Sequence, residues 1–96
     1  MADFMLLMHG DTTAPEDNAA WDAYFGALHR SGAFEGGSSF GDVRRYRRTG
    51  EPAAAARLIG FLRVRAADWT GAEALLEGNP VLAAGGTVEV RELVRD

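Results

Sequence analysis

The chain has 96 residues, 47% hydrophobic and 25% charged, with a net charge of −4. That composition suits one globular domain, residues 1–96, and excludes a disordered or collagen-like chain. The acidic balance speaks against general nucleic-acid binding, the lack of any apolar run near ~20 residues against a spanning helix, and the absence of cysteine against disulfides and thiolate chemistry.

Phe4–Met8, FMLLM, is a continuous apolar run, the pattern of a strand covered on both faces, and a strand is expected over 3–9. His9-Gly10-Asp11 then turns the chain. Thr13 and Glu16 form a capping box around Pro15 and predict a helix over 14–31, with Trp21, Tyr24 or Phe25, and Leu28 as its buried stripe and Gly32 as its end. Gly36-Gly37-Ser38-Ser39 reads as a short flexible passage. Asp42–Arg48, DVRRYRR, reads as a charged edge strand on the strength of Val43 and Tyr46, with Thr49–Ala55 as the hairpin loop. A third strand is expected over 56–65, where Leu58, Gly60, Leu62 and Val64 alternate with Ile59, Phe61, Arg63 and Arg65. Asp68 stands at an N-cap, Trp69, Ala72, Leu75 and Leu76 follow at helical spacing over 69–77, and Gly78 with Pro80 ends that helix. Gly85-Gly86 leads to a last strand over 87–94. Such a β-α-β-β-α-β order is the ferredoxin-like α+β arrangement: an antiparallel four-stranded sheet, order 4-1-3-2, with both helices on one face. The other face would expose Ile59, Phe61 and half of the first strand to water, so a homodimer through the open sheet face is expected.

Three segments, FMLLMHGD, AAWDAYFGALHRSG and GFLRVRAADWTGAEALLEGNPVLAAGGTVEVREL, resemble the YCII-related family of the dimeric α/β-barrel superfamily. The resemblance implies a ferredoxin-like protomer, a dimer and a small pocket between helix and sheet. It does not carry over the catalytic pair thought to serve the founding branch. The helical His of that branch falls on Trp21 and its Asp before Pro falls on Asn79, and neither indole nor carboxamide does acid–base chemistry near neutral pH. The Asp-Gly-Pro-Phe loop of a second branch is also missing, where this chain reads TGEPAAAARLIG.

His9 is then the best remaining proton carrier, with Asp11 beside it. The expected pocket has Trp21 and Tyr24 as walls, with His9, Asp11, Asn79 and Arg91 as polar contacts. Against this stand plain structural roles: a polar residue ending a strand for His9, a turn for Asn79, core packing for the indoles. His9 and Asp11 supply at most two metal ligands, so no metal is expected. Neither Gly-Gly pair fits a phosphate loop, so no cofactor is implied. Every non-histidine basic residue is arginine, which excludes Schiff-base catalysis by lysine. The leading expectation is a cytoplasmic homodimer binding a small molecule, away from nucleic acid and membrane. The competing one is a lyase, isomerase or dehalogenase acting on a small aromatic or carbonyl compound, with His9 as general base.

Overall fold

The computed structural model describes residues 1–95. The chain runs β1 (Ala2–His9), α1 (Asn18–Ser31), β2 (Phe34–Ser39), β3 (Leu58–Ala66), α2 (Trp69–Ala74), α3 (Pro80–Ala83) and β4 (Val88–Leu93). Its strands form one sheet in the order β2-β3-β1-β4, each neighbouring pair antiparallel. This is the expected ferredoxin-like α+β arrangement, with a four-residue helix added before the last strand. No helix among the described residues is long and apolar enough to cross a membrane.

β1 holds the centre because it can face two ways. Leu6 opposes Leu62 of β3 on one side and Val90 of β4 on the other. Phe4, Leu6 and Met8 point toward the helices and are buried with Leu62, Val64, Tyr24, Leu28, Ala72 and Val81. Met5 and Leu7, one residue out of phase, turn to the uncovered face and are half-buried.

The helix ends follow local chemistry. α1 begins four residues later than the capping-box pattern suggests, because Asp17 caps it by accepting from the Ala19 N–H. Thr13 is drawn elsewhere: its N–H and hydroxyl both bond the Ala84 carbonyl, which pins the preceding segment to the end of α3. Gly32 closes α1 in the left-handed region, φ 74°, where a side chain would be strained. Asp68 caps α2 through the Gly71 N–H as expected. α2 then tightens into i→i−3 turns over 75–77, and α3 starts on Asn79 with Pro80 in its first turn.

The second strand is the main correction. It lies at Phe34–Ser39, the stretch read as a flexible passage, while Asp42–Arg48 forms no strand and lies exposed within a long connection from 40 to 57. Alternation in DVRRYRR has no partner strand to pair with, whereas the small residues of FEGGSS fit closely against β3. Gly37 opposes Leu62, and a Cβ there would strike the Phe61 carbonyl and come 2.8 Å from Leu62 Cδ2. A glycine in a strand marks such an approach.

The uncovered face has an apolar centre of Met5, Leu7, Ile59 and Phe61, with Phe40 stacked on Phe61 at 5.6 Å. Charges sit at both ends: Arg65 between Asp3 and Glu35, and Arg91 with Glu89.

Gly37→Ala should therefore lower stability by about 1–3 kcal/mol, the scale of an overpacked contact. Gly41→Ala is the control, since nothing lies within 4 Å of its added Cβ. Urea denaturation of both variants checks it, and equal midpoints would mean that β2 does not approach β3 this closely.

Candidate functional site

The cleft that the fold leaves between α1 and the β2–β3 edge follows from a division of labour along α1. Tyr24 turns inward, is 3% exposed, and donates its hydroxyl to the Leu75 carbonyl at 2.7 Å. Burial pushes its phenol above the usual value. Trp21 and Phe25 turn toward the sheet edge instead, stacked at 5.3 Å, and Phe34 of β2 continues the aromatic wall 5.9 Å from Phe25. The Trp21 Nε1–H donates to Glu16 Oε1 at 2.9 Å, which fixes the indole at the mouth. Met8, Leu62, Gly37 and Gly60 make the floor, and Ser38 and Ser39 the rim. Bare glycines leave room that side chains would fill. The cleft encloses about 370 Å³, and Glu16 is the one ionisable group lining it. Among the described residues the second oxygen of Glu16 has no hydrogen-bond partner. An apolar cleft with a single carboxylate can hold a small flat molecule and take a hydrogen bond from it.

The six residues expected around one pocket fall in separate places. Trp21 lines the cleft; His9, Asp11, Tyr24, Asn79 and Arg91 do not. His9 lies on the uncovered face, because it shares the parity of Met5 and Leu7. Its Nε2 is 2.7 Å from Glu89 Oε1, and Arg91 donates Nε and Nη2, each at 2.8 Å, to Glu89 Oε2. Arg91 first, and His9 second, hold the Glu89 carboxyl below its usual range. This is a closed chain of partners across the sheet from the cleft.

Asp11 is a tie between loops. It accepts from the Thr87 N–H at 2.8 Å and from the Thr87 hydroxyl at 2.6 Å, fastening the exit of β1 to the entrance of β4. Those two bonds hold its carboxyl below the usual range. Asn79, 1% exposed, is the cap of α3, its Oδ1 accepting from the Val81 and Leu82 N–H groups. Its amide nitrogen has no partner of good geometry. The carboxamide is near enough to the Tyr24 hydroxyl to favour the phenolate slightly, against the larger effect of burial.

Glu16 and Gly37 line the cleft although the sequence suggests other work for them, a capping box for Glu16 and a flexible passage for Gly37, and Phe34 carries no signal of its own. Among the described residues no three of His, Asp and Glu converge as metal ligands would.

The Asp11 tie has a pH signature. A carboxyl whose folded value is depressed stabilises the fold above its unfolded value, and that stability is lost as pH falls through the folded value. The melting temperature of the natural chain should exceed that of Asp11→Asn at pH 7, and the gap should close on acidification toward pH 3. A gap independent of pH would mean the Thr87 bonds do not depend on the charge.

No family model matches the chain, and no curated protein matches it. Among solved structures it is similar to the 5-chloro-2-hydroxyhydroquinone dehydrochlorinase of Burkholderia phenoliruptrix AC1100, determined in complex with 2,5-dihydroxybenzoquinone. The match covers 98% of this chain and 95% of that one at a TM-score of 0.56 and 13% identity, a likeness of fold alone. The YCII-related resemblance therefore rests on the residues quoted for it. The fold itself is a ferredoxin-like unit with one sheet face uncovered.

Proposed function

We propose that this chain acts as a homodimer that binds a small, flat, mostly apolar molecule in the cleft between α1 and the β2–β3 edge. The observation that carries this reading is the 370 Å³ cleft walled by Trp21, Phe25 and Phe34, with Glu16 as its single ionisable group. Its size is at the low end of the ~300–1,000 Å³ that small-molecule sites span. Three aromatic walls favour a planar ring, and the Glu16 carboxylate favours a hydroxyl or N–H on that ring. That a protein of the same fold was solved with a dihydroxybenzoquinone bound is in keeping with this class of ligand. The reading includes a cytoplasmic location.

A catalytic version of the reading runs through Glu16, not His9. His9 is on the other side of the sheet and already bonded to Glu89. Glu16 is the group within reach of a bound ring.

The test is a panel of hydroxybenzenes and hydroxyquinones, including 2,5-dihydroxybenzoquinone, followed by thermal shift and tryptophan fluorescence. A ligand at 100 times its Kd should stabilise the fold by about 2.7 kcal/mol. Trp21→Phe should abolish the ligand-induced fluorescence change while Trp69 still reports. Glu16→Gln should weaken hydroxylated ligands by about tenfold, the loss of a charge-assisted hydrogen bond. Binding that ignores both substitutions would remove the cleft from the reading.

The dimer is supported by the apolar centre of the uncovered face. Sedimentation at micromolar concentration should give twice the 10.3 kDa chain mass. Phe61→Glu, which puts a carboxylate into that centre, should give a folded monomer; a variant that stays dimeric would place the interface elsewhere.

A further inference from the structure

The connection from 40 to 57 is far longer than the ~2–5 residues that join paired antiparallel strands, and a structureless segment of this length is usually functional or disordered. Its residues are exposed from 41 to 57, apart from a half-buried Pro52. Val43 is 80% exposed and Tyr46 86% exposed, an unusual position for two large apolar side chains on one short stretch. It is also basic. Arg44, Arg45, Arg47, Arg48 and Arg57 meet two carboxylates, Asp42 and Glu51, which makes the arm +3 and leaves −7 for the rest of a chain of net −4. At its root Phe40 stacks on Phe61, so the arm leaves directly from the uncovered face expected at the dimer interface.

The helical side of the molecule carries a hollow of matching character. It is a shallow depression between α2 and α3, open to solvent over most of its extent, with Leu76 and Leu82 as its apolar surface and Glu73 and Glu77 beside them. Leu82 is 42% exposed. Asn79, whose amide nitrogen is unpartnered, also lines it. An aromatic side chain between two arginines, as Tyr46 is between Arg45 and Arg47, complements an apolar hollow between two glutamates in both shape and charge.

We propose that the 41–57 arm of one chain clasps a second copy, seating Tyr46 in that copy's α2–α3 hollow with Arg45 and Arg47 against its Glu73 and Glu77. From its root at Phe40 to Tyr46 the arm spans six residues and can extend ~20 Å. That equals the smallest Cα extent of the chain, 20 Å, so an arm rooted at the sheet-to-sheet interface is long enough to run along its partner's edge toward the helical side. The exchange is reciprocal under two-fold symmetry, and each arm leaves its own hollow free for the other. This inference rests on the homodimer of the proposed function.

Because the chain has no cysteine of its own, disulfide trapping tests the contact directly. Tyr46→Cys and Leu82→Cys chains carrying different mass tags are mixed under mild oxidation, and a mixed disulfide between the two tags is the expected product. Independently, Arg45→Glu with Arg47→Glu should weaken the dimer about tenfold, as should Glu73→Arg with Glu77→Arg. Mixing those two charge-reversed proteins should recover affinity by about tenfold over either alone, which a merely unfolded arm would not do. A natural chain that stays dimeric, with no mixed disulfide and no effect of either charge reversal, overturns the clasp and leaves the dimer intact. A disulfide formed solely within a chain carrying both cysteines overturns it in favour of a strap over its own body. Binding of RNA or of anionic vesicles abolished by the arginine reversals, with the dimer unchanged, overturns it in favour of that partner. A natural chain that is monomeric at micromolar concentration defeats the dimer reading itself.

Discussion

β1 bonds to β3 on one side and β4 on the other, so its side chains must be dealt alternately to two environments. Phe4, Leu6 and Met8 meet the helices; Met5, Leu7 and His9 meet whatever lies across the sheet. Everything else is arranged around that deal. The helices are amphipathic toward one side, the outward residues of β3 and β4 join the other, and a single-residue slip of β1 would exchange the two sets. The buried side is held by close packing of large aliphatic and aromatic groups, while the uncovered side combines an apolar centre with paired charges at its ends.

The cleft arises from the same economy of cover. α1 shields the middle of the sheet with Tyr24 and Leu28, but toward the β2 edge the strand surface is glycine and the helix offers rings instead of aliphatic filling. The space between is bounded by groups already fixed by other contacts: Trp21 by Glu16, Phe34 by Phe25 and His29. Preorganised walls lower the ordering cost of binding.

Much of the fold was legible because its signals are local. FMLLM, the alternation of Leu58–Val64, the Asp68 cap and the Gly32 stop each act within a few residues. β2 was not, because FEGGSS is a strand by virtue of its partner: close approach to β3 selects small residues there, while residue-by-residue propensity favours DVRRYRR. The site was legible in part. Trp21 falls on the correct face of α1 by helical spacing. Glu16 was hidden by its resemblance to a capping residue, a role that Asp17 takes. His9 faces away from the cleft for a reason its own strand shows: with Phe4, Leu6 and Met8 toward the helices, the next residue turns to the other side. Asn79 reads as a turn residue, and its side-chain oxygen caps α3, a helix its sequence does not announce.

The central place of β1 also bears on how the chain comes to be folded. Leu6 waits for Leu62 and then for Val90, so β1 is synthesised before either of its partners. Such pairing has a high loop-closure cost and belongs to the slow end of small-domain folding. Until it completes, FMLLM is a short, uncharged, β-prone segment with both edges open, the kind of nascent sequence on which chaperones act and from which aggregates start.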